Sequence, residues 1–250
     1  MAAHTACRLF VRLATLAVVF AGTPAHAACA DPAELARSTV SIVRHFDATE
    51  RDPRPDLIAI AGTGWFLSPK TIITVAHVAE AMKLSSQDWK LLEIADEHGS
   101  QFLPARVERL AGDQAEKLAV IELQRPVFAT HALRIRGEPL VAEEQVLTIV
   151  YPEGFPHFVR GRFVQFGAGE RLGGTALLEM YEGDNRLVID HGASGAPVVD
   201  CDGRVAAVIS DVFTQSLQWA SRRIRISTAW GTPNVVSVPI QALEDIAQLQ

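Results

Sequence analysis

From residue 38 onward the chain is a series of short apolar runs divided by Gly, Pro and Asp. In the first half these are STVSIVRHF (38–46), IAIAGTGWFLS (58–68), TIITVAHV (71–78), KLLEIAD (90–96), PARVERLA (104–111) and LAVIEL (118–123). In the second half they are QVLTIVYP (145–152), RGRFVQFGA (160–168), ALLEMYE (176–182), RLVIDH (186–191), APVVDCDG (196–203), RVAAVISDVF (204–213) and RRIRIST (222–228). Many short strands at close spacing predict an all-β fold, a sandwich or a barrel. The segment 122–144 breaks the rhythm and marks the junction of two halves. Helices are few. DPAELARS (31–38) opens on Asp then Pro, an N-cap and first-turn pair. VAEAMKL (78–84) predicts a turn or two of helix after His77. VPIQALEDIAQLQ (238–250) is amphipathic through Ile240, Leu243, Ile246, Ala247 and Leu249, which predicts a C-terminal helix.

One run carries a charge at its mouth. LAVIEL is apolar on both faces apart from Glu122, yet Lys117 precedes it and alternates with Ala119 and Ile121.

Composition refines this picture at the N-terminus. Arg8 and Arg12, the apolar stretch LATLAVVFAG (13–22) and the small residues AHA (25–27) have the layout of a signal peptide cleaved after Ala27, giving a domain over 28–250. The alternative is an uncleaved anchor, but the apolar stretch falls short of the ~20 residues of a span. No stable membrane insertion is expected. Cys29 lies just past the leader, but His26 is wrong for a lipid-attachment site. Without the leader's two arginines the formal charge goes from −6 to −8, which argues against nucleic acid as a partner. SRRIRIS (221–227) is the only local basic cluster. It alternates Ile224 and Ile226 with Arg223 and Arg225, and reads as a strand with a solvated outer face. Cys29 and Cys201 form an even pair in an exported chain, so a disulfide is plausible; the alternative is two free thiols.

Two stretches could carry chemistry. GTGWFLSPKTIITVAHVAE (62–80) ends an apolar run in Ala76–His77, and an imidazole held there suits proton transfer. Alone it is weak, because a single histidine is more often structural. DHGASGAPVVDCDGRVAAVIS (190–210) sets Ser194 between glycines before a strand. Small neighbours admit a substrate carbonyl, and a tight Gly-rich turn can aim backbone N–H groups at one point. The alternative is an ordinary turn. GAGERLGG (167–174) fits neither nucleotide fingerprint and reads as a hairpin. His77-Val-Ala-Glu80 has no zinc-helix spacing. No metal and no cofactor are expected.

In order along the chain, GTGWFLS, TVAHV, KLAVIEL, VYPEG and GASGAP resemble the signatures of the trypsin-like serine peptidases, in particular the bacterial secreted and HtrA-type branch. The resemblance spans most of 38–240. It implies two antiparallel six-stranded β-barrels, about 38–130 and about 135–235, with the site in the cleft between them and a C-terminal helix over about 238–250. No separate PDZ-type peptide-binding domain is expected after the last strand. By this resemblance His77 matches the general base and Ser194 the nucleophile of an endopeptidase. Gly192 and Ser194 match the two oxyanion donors. Ser210 matches a pocket-side serine, and a polypeptide substrate would pair alongside 210–212, including Val212. Pocket residues fall near Val188, Asp190 and Val212, with no side-chain preference assigned.

The chain departs from the family at Lys117. The pattern calls for Asp before Leu-Ala-Val, and the ammonium would oppose the imidazolium that such an Asp stabilises. Loss of that orienting carboxylate costs about 10⁴ in rate. Glu116 could substitute if the loop turns by one residue, Asp113 if it folds back, and Asp211 is a third candidate. The alternative for each is a solvated loop acid. Lys117 also motivates a second reading, a peptidase-fold protein that has lost catalysis and binds peptides or a protein partner.

Overall fold

The computed structural model describes residues 29–51, 56–96, 98–112, 117–128, 130–168, 174–183, 185–186, 192–212, 215–219, 222–226 and 232–247. The expected leader over 1–27 lies outside them, as do Asp113, Glu116, Val188 and Asp190. At the start of the described chain, α1 (Pro32–Ala36) is capped by the Asp31 carboxylate, which accepts the Ala33 amide, with Pro32 in the first turn.

The first half closes into a barrel. Its strands are β1 (Thr39–His45), β2 (Ala59–Ser68), β3 (Thr71–Val75), β4 (Lys90–Asp96), β5 (Gly99–Ala111) and β6 (Leu118–Leu123), in the circular order β1-β2-β3-β6-β5-β4. All neighbours are antiparallel. Ile42, Ile72, Leu92, Leu118 and Ile121 are fully buried in this half. β5 starts before the apolar run that predicts it. The Asp96 carboxylate accepts the amides of His98 and Gly99, and this turn lets the polar segment from Gly99 pair back on β4.

The second half closes in the same way. β7 (Gln145–Val150), β8 (His157–Phe166), β9 (Ala176–Glu182), β11 (Pro197–Val199), β12 (Val205–Val212) and β15 (Val235–Pro239) run in the order β9-β15-β12-β11-β7-β8, and β8 pairs back on β9. The two-residue β10 (Asn185–Arg186) adds to β9. Val146, Val159, Leu178, Val198 and Val235 fill the centre. Thus two closed six-stranded antiparallel barrels are present, as the resemblance implies. Two further strands, β13 (Gln215–Trp219) and β14 (Arg222–Ile226), pair only with each other.

Between the barrels the chain does not hang free. Val127 and Leu133 donate their amides to the Pro69 and Phe66 carbonyls of the first barrel. Ile135 then bridges to Val205 of the second, flanked by bonds from Val205 N to Arg134 O and from Arg136 N to Val205 O. Arg136 is buried and bonds to the Glu144 carboxylate and the Pro139 carbonyl. The connecting segment is therefore bonded to both halves.

Four elements differ from the pattern-based expectation. The strand predicted over 71–78 ends at Val75, and a helix, α2 (Ala76–Ala81), begins there. Val78, Ala79 and Met82 are buried on its inner side, so a period near 3.6 takes over from a period of 2. At the C-terminus Val238 and Pro239 belong to β15. Helical structure begins at Ile240, first as a 3-10 turn to Leu243 and then as α3 (Glu244–Ala247). β13 and β15 carry no strand prediction at all.

Candidate active site

β2 is the floor of the cleft. Gly62 lies where two segments of the chain converge. A Cβ there would stand 2.6 Å from Val78 Cγ1 and 3.5 Å from the Ser194 carbonyl. Val78 directly follows His77, so the helix that carries the histidine and the turn that carries the serine meet over one glycine. This is the reason residue 62 has no side chain.

His77 is the second residue of α2, not the last of β3, and its side chain is exposed. Its backbone is well fixed. Val75 pairs with Leu118 in the β3–β6 ladder, and the Ala76 amide donates to the Lys117 carbonyl at 2.7 Å. Lys117 is therefore opposite Ala76, about 5 Å away across the ladder and next to the histidine. Its side chain is exposed, and among the described residues it has no ion-pair partner. The residue that the sequence resemblance aligns with the orienting acid is thus a lysine whose carbonyl holds the Ala76 amide. The two nearest substitutes, Glu116 and Asp113, fall outside the described residues. Asp211 is exposed at the far end of β12.

The serine turn runs from Gly192 to Ala196. Gly192 and Gly195 have φ of +112° and +96°, conformations that disfavour any side chain. Space forbids one as well: at Gly195 a Cβ would be 2.0 Å from the Thr63 carbonyl oxygen, and at Gly192 2.6 Å from the Tyr151 carbonyl oxygen. The Gly195 amide donates to Ile209 O, and the Ile209 amide donates back to Ala196 O. Ser194 itself is half-buried, and its hydroxyl donates to the Ser210 carbonyl at 3.0 Å rather than to an imidazole.

Thr63 clamps this turn to the first barrel. Its amide donates to Ser194 O at 3.0 Å, and its hydroxyl donates to Gly192 O at 2.5 Å and accepts the Tyr151 amide at 3.2 Å. Its carbonyl accepts the Thr74 hydroxyl at 2.8 Å. Sequence reasoning singled out the glycines of GTGWFLS and missed this threonine. The available signal was a hydroxyl residue set between two glycines in an otherwise apolar run. Its partner, however, is 129 residues away.

These anchors use the carbonyls of Gly192 and Ser194 and leave their amides. Neither N–H has an acceptor among the described residues. Two unengaged amides flanking a serine hydroxyl can receive the negative charge that develops on an attacked carbonyl. Below them Ser210 is the extra residue of a bulge: Ile209 pairs with Ser237 and Asp211 with Val236, which leaves Ser210 unpaired on β15. Such a bulge re-aims the backbone near a site, and here it points the Ser210 carbonyl at Ser194 Oγ. Val212 follows on the same strand.

The family profile of the trypsin-like peptidase domain matches residues 62–208, more than half of the chain and the stretch that holds His77, Lys117 and the Ser194 turn. The chain belongs to this peptidase family. No curated protein sequence matches it significantly. Solved structures do. The Rv3671c protease from M. tuberculosis in its active form is 15% identical with a TM-score of 0.57, over 96% of this chain and 92% of that one. Its inactive form is 16% identical with a TM-score of 0.54, over 85% and 88%. Deg5 is 14% identical with a TM-score of 0.56, over 84% and 87%. At such identities the likeness is one of fold. Membership in the peptidase family makes polypeptides the substrate class.

Proposed function

We propose that the chain is an exported serine endopeptidase that cleaves peptide bonds through an acyl-enzyme. Ser194 Oγ attacks the scissile carbonyl and passes its proton to His77. The amides of Gly192 and Ser194 hold the oxyanion, His77 returns the proton to the leaving amine, and water releases the acyl group by the reverse path. The substrate backbone adds alongside 210–212. Ser210 and Val212 are its neighbours there, so the nucleophile's hydroxyl must leave the Ser210 carbonyl as substrate arrives. The orienting acid is atypical: Glu116 or Asp113, in the loop just before Lys117, are the candidates to reach the second imidazole nitrogen. The leader over 1–27 and the Cys29–Cys201 disulfide, which suits an oxidising compartment, support a periplasmic or extracellular location. N-terminal sequencing of the exported protein should then begin at Ala28, and retention of the leader would contradict export.

The observation that carries this reading is the pair of unengaged amides beside Ser194 on a turn clamped from both sides by Thr63. A substrate cast such as denatured casein tests it. Wild-type protein should cleave internal bonds, and Ser194→Ala or His77→Ala should lower the rate by about 10³-fold or more. Cleavage that persists in Ser194→Ala removes the reading. Lys117 favours one alternative, a peptidase fold that binds polypeptides without cutting them. Under that alternative, wild type and Ser194→Ala bind casein equally and neither cuts it.

A further inference from the structure

Arg223 and Arg225 read in sequence as the solvated face of a strand, but β14 is in neither barrel. With β13 it forms a two-stranded sheet of its own. This hairpin grows from the site. It leaves β12 after Val212, and the chain returns to β15, whose Val235 pairs with Val212. Gln215, where β13 begins, is five residues from Ser210, whose carbonyl holds the nucleophile's hydroxyl. An extended chain advances at most ~3.5 Å per residue, so Gln215 lies within roughly 18 Å of Ser210. The register sorts the positions. Ser216 pairs with Arg225 and Gln218 with Arg223 on one face, while Gln215–Ile226, Leu217–Ile224 and Trp219–Arg222 share the other. No acidic residue occupies these ten positions, in a chain whose formal charge is −6.

We propose that the β13–β14 hairpin is a docking arm for an Asp/Glu-rich stretch of the polypeptide substrate, a stretch that continues from the scissile bond along β12. This deepens the peptidase reading and takes its substrate class from it. Guanidinium groups bind carboxylates bidentately. At physiological salt the Debye length is about 8 Å, so the arm selects what lies beside it rather than acting on the whole substrate. The net negative charge of the rest of the chain repels acidic segments that approach elsewhere, which confines them to the hairpin.

Equilibrium binding separates the arm from the chemistry. Full-length Ser194→Ala protein is titrated with fluorescein-labelled 20-residue peptides that are Glu-rich, Gln-rich or Lys-rich, at low and high NaCl, with a single-stranded oligonucleotide of the same length as a further probe. The Glu-rich peptide should bind about tenfold more tightly than the Gln-rich one at low salt, as expected for a few charge-assisted pairs, and lose this preference at high salt. Arg223→Gln/Arg225→Gln should abolish the preference, and Arg223→Lys/Arg225→Lys should keep most of it, which excludes misfolding as the cause. No Glu preference, a preference that survives the Gln pair, or tighter binding of the oligonucleotide overturns the proposal. Covalent labelling of wild-type Ser194 by a phosphonate is scored in parallel. Failed labelling with the Glu preference intact refutes the peptidase reading alone, and labelling without the preference refutes the arm alone.

Discussion

Lys117, whose carbonyl holds the Ala76 amide, is the residue that the sequence resemblance aligns with the family's orienting carboxylate. On that alignment the charge of the position is inverted. A positive charge beside His77 opposes the imidazolium that must form when Ser194 gives up its proton. Lys117→Asp restores the usual sign without moving the backbone. It should raise kcat/KM on casein, by about tenfold at least and by at most the ~10⁴ ascribed to the orienting acid. A fall instead would give the lysine a positive role in turnover. The match across Leu118-Ala119-Val120 made Lys117 legible in sequence as the residue aligned with the orienting acid, with Glu116 one residue away as the alternative. Thr63 was not legible. Its function lies in hydrogen bonds to Gly192, Ser194 and Tyr151, and no local pattern announces partners so far along the chain.

At the scale of elements, alternation located nearly every barrel strand, since each buries at least one face. The helix after His77 was predicted over 78–84, and only its start at Ala76 escaped, because Thr-Val-Ala-His-Val reads as the end of a strand. β15 escaped because its Val-Pro end was absorbed into the amphipathic pattern that follows. β13 escaped because Gln-Ser-Leu-Gln-Trp is mostly polar. The outer wall of the first barrel shows a different dependence, on charge. His45 at the end of β1 meets Glu93 of β4 at 2.7 Å. Chiefly through this hydrogen bond, the Glu93 carboxyl is held below its ordinary value of 4.5. A carboxyl lowered in the fold stabilises it above its unfolded pKa and ceases to do so as pH falls through the lowered value. His45→Asn should therefore move the acid-unfolding midpoint upward. An unchanged acid midpoint, followed by far-UV circular dichroism, would show that the pair contributes nothing to acid tolerance.

At the scale of the whole molecule, two barrels are held together by the connecting segment and by one covalent clip. The Cys29–Cys201 disulfide spans 172 positions and ties the start of the described chain to the turn between β11 and β12, seven residues after Ser194. Closing so long a loop limits the unfolded chain strongly, so Cys29→Ser/Cys201→Ser should cost about 2–5 kcal/mol in denaturant unfolding. An unchanged midpoint would contradict that role. The central claim, that this folded whole presents Ser194 as an activated nucleophile, has a more direct test. Purified wild-type protein is treated with a fluorophosphonate, digested and mapped by mass spectrometry. The account predicts one adduct, on Ser194, that is lost in His77→Ala and forms faster in Lys117→Asp. No adduct at Ser194, under conditions that label an active trypsin-like peptidase, would contradict it.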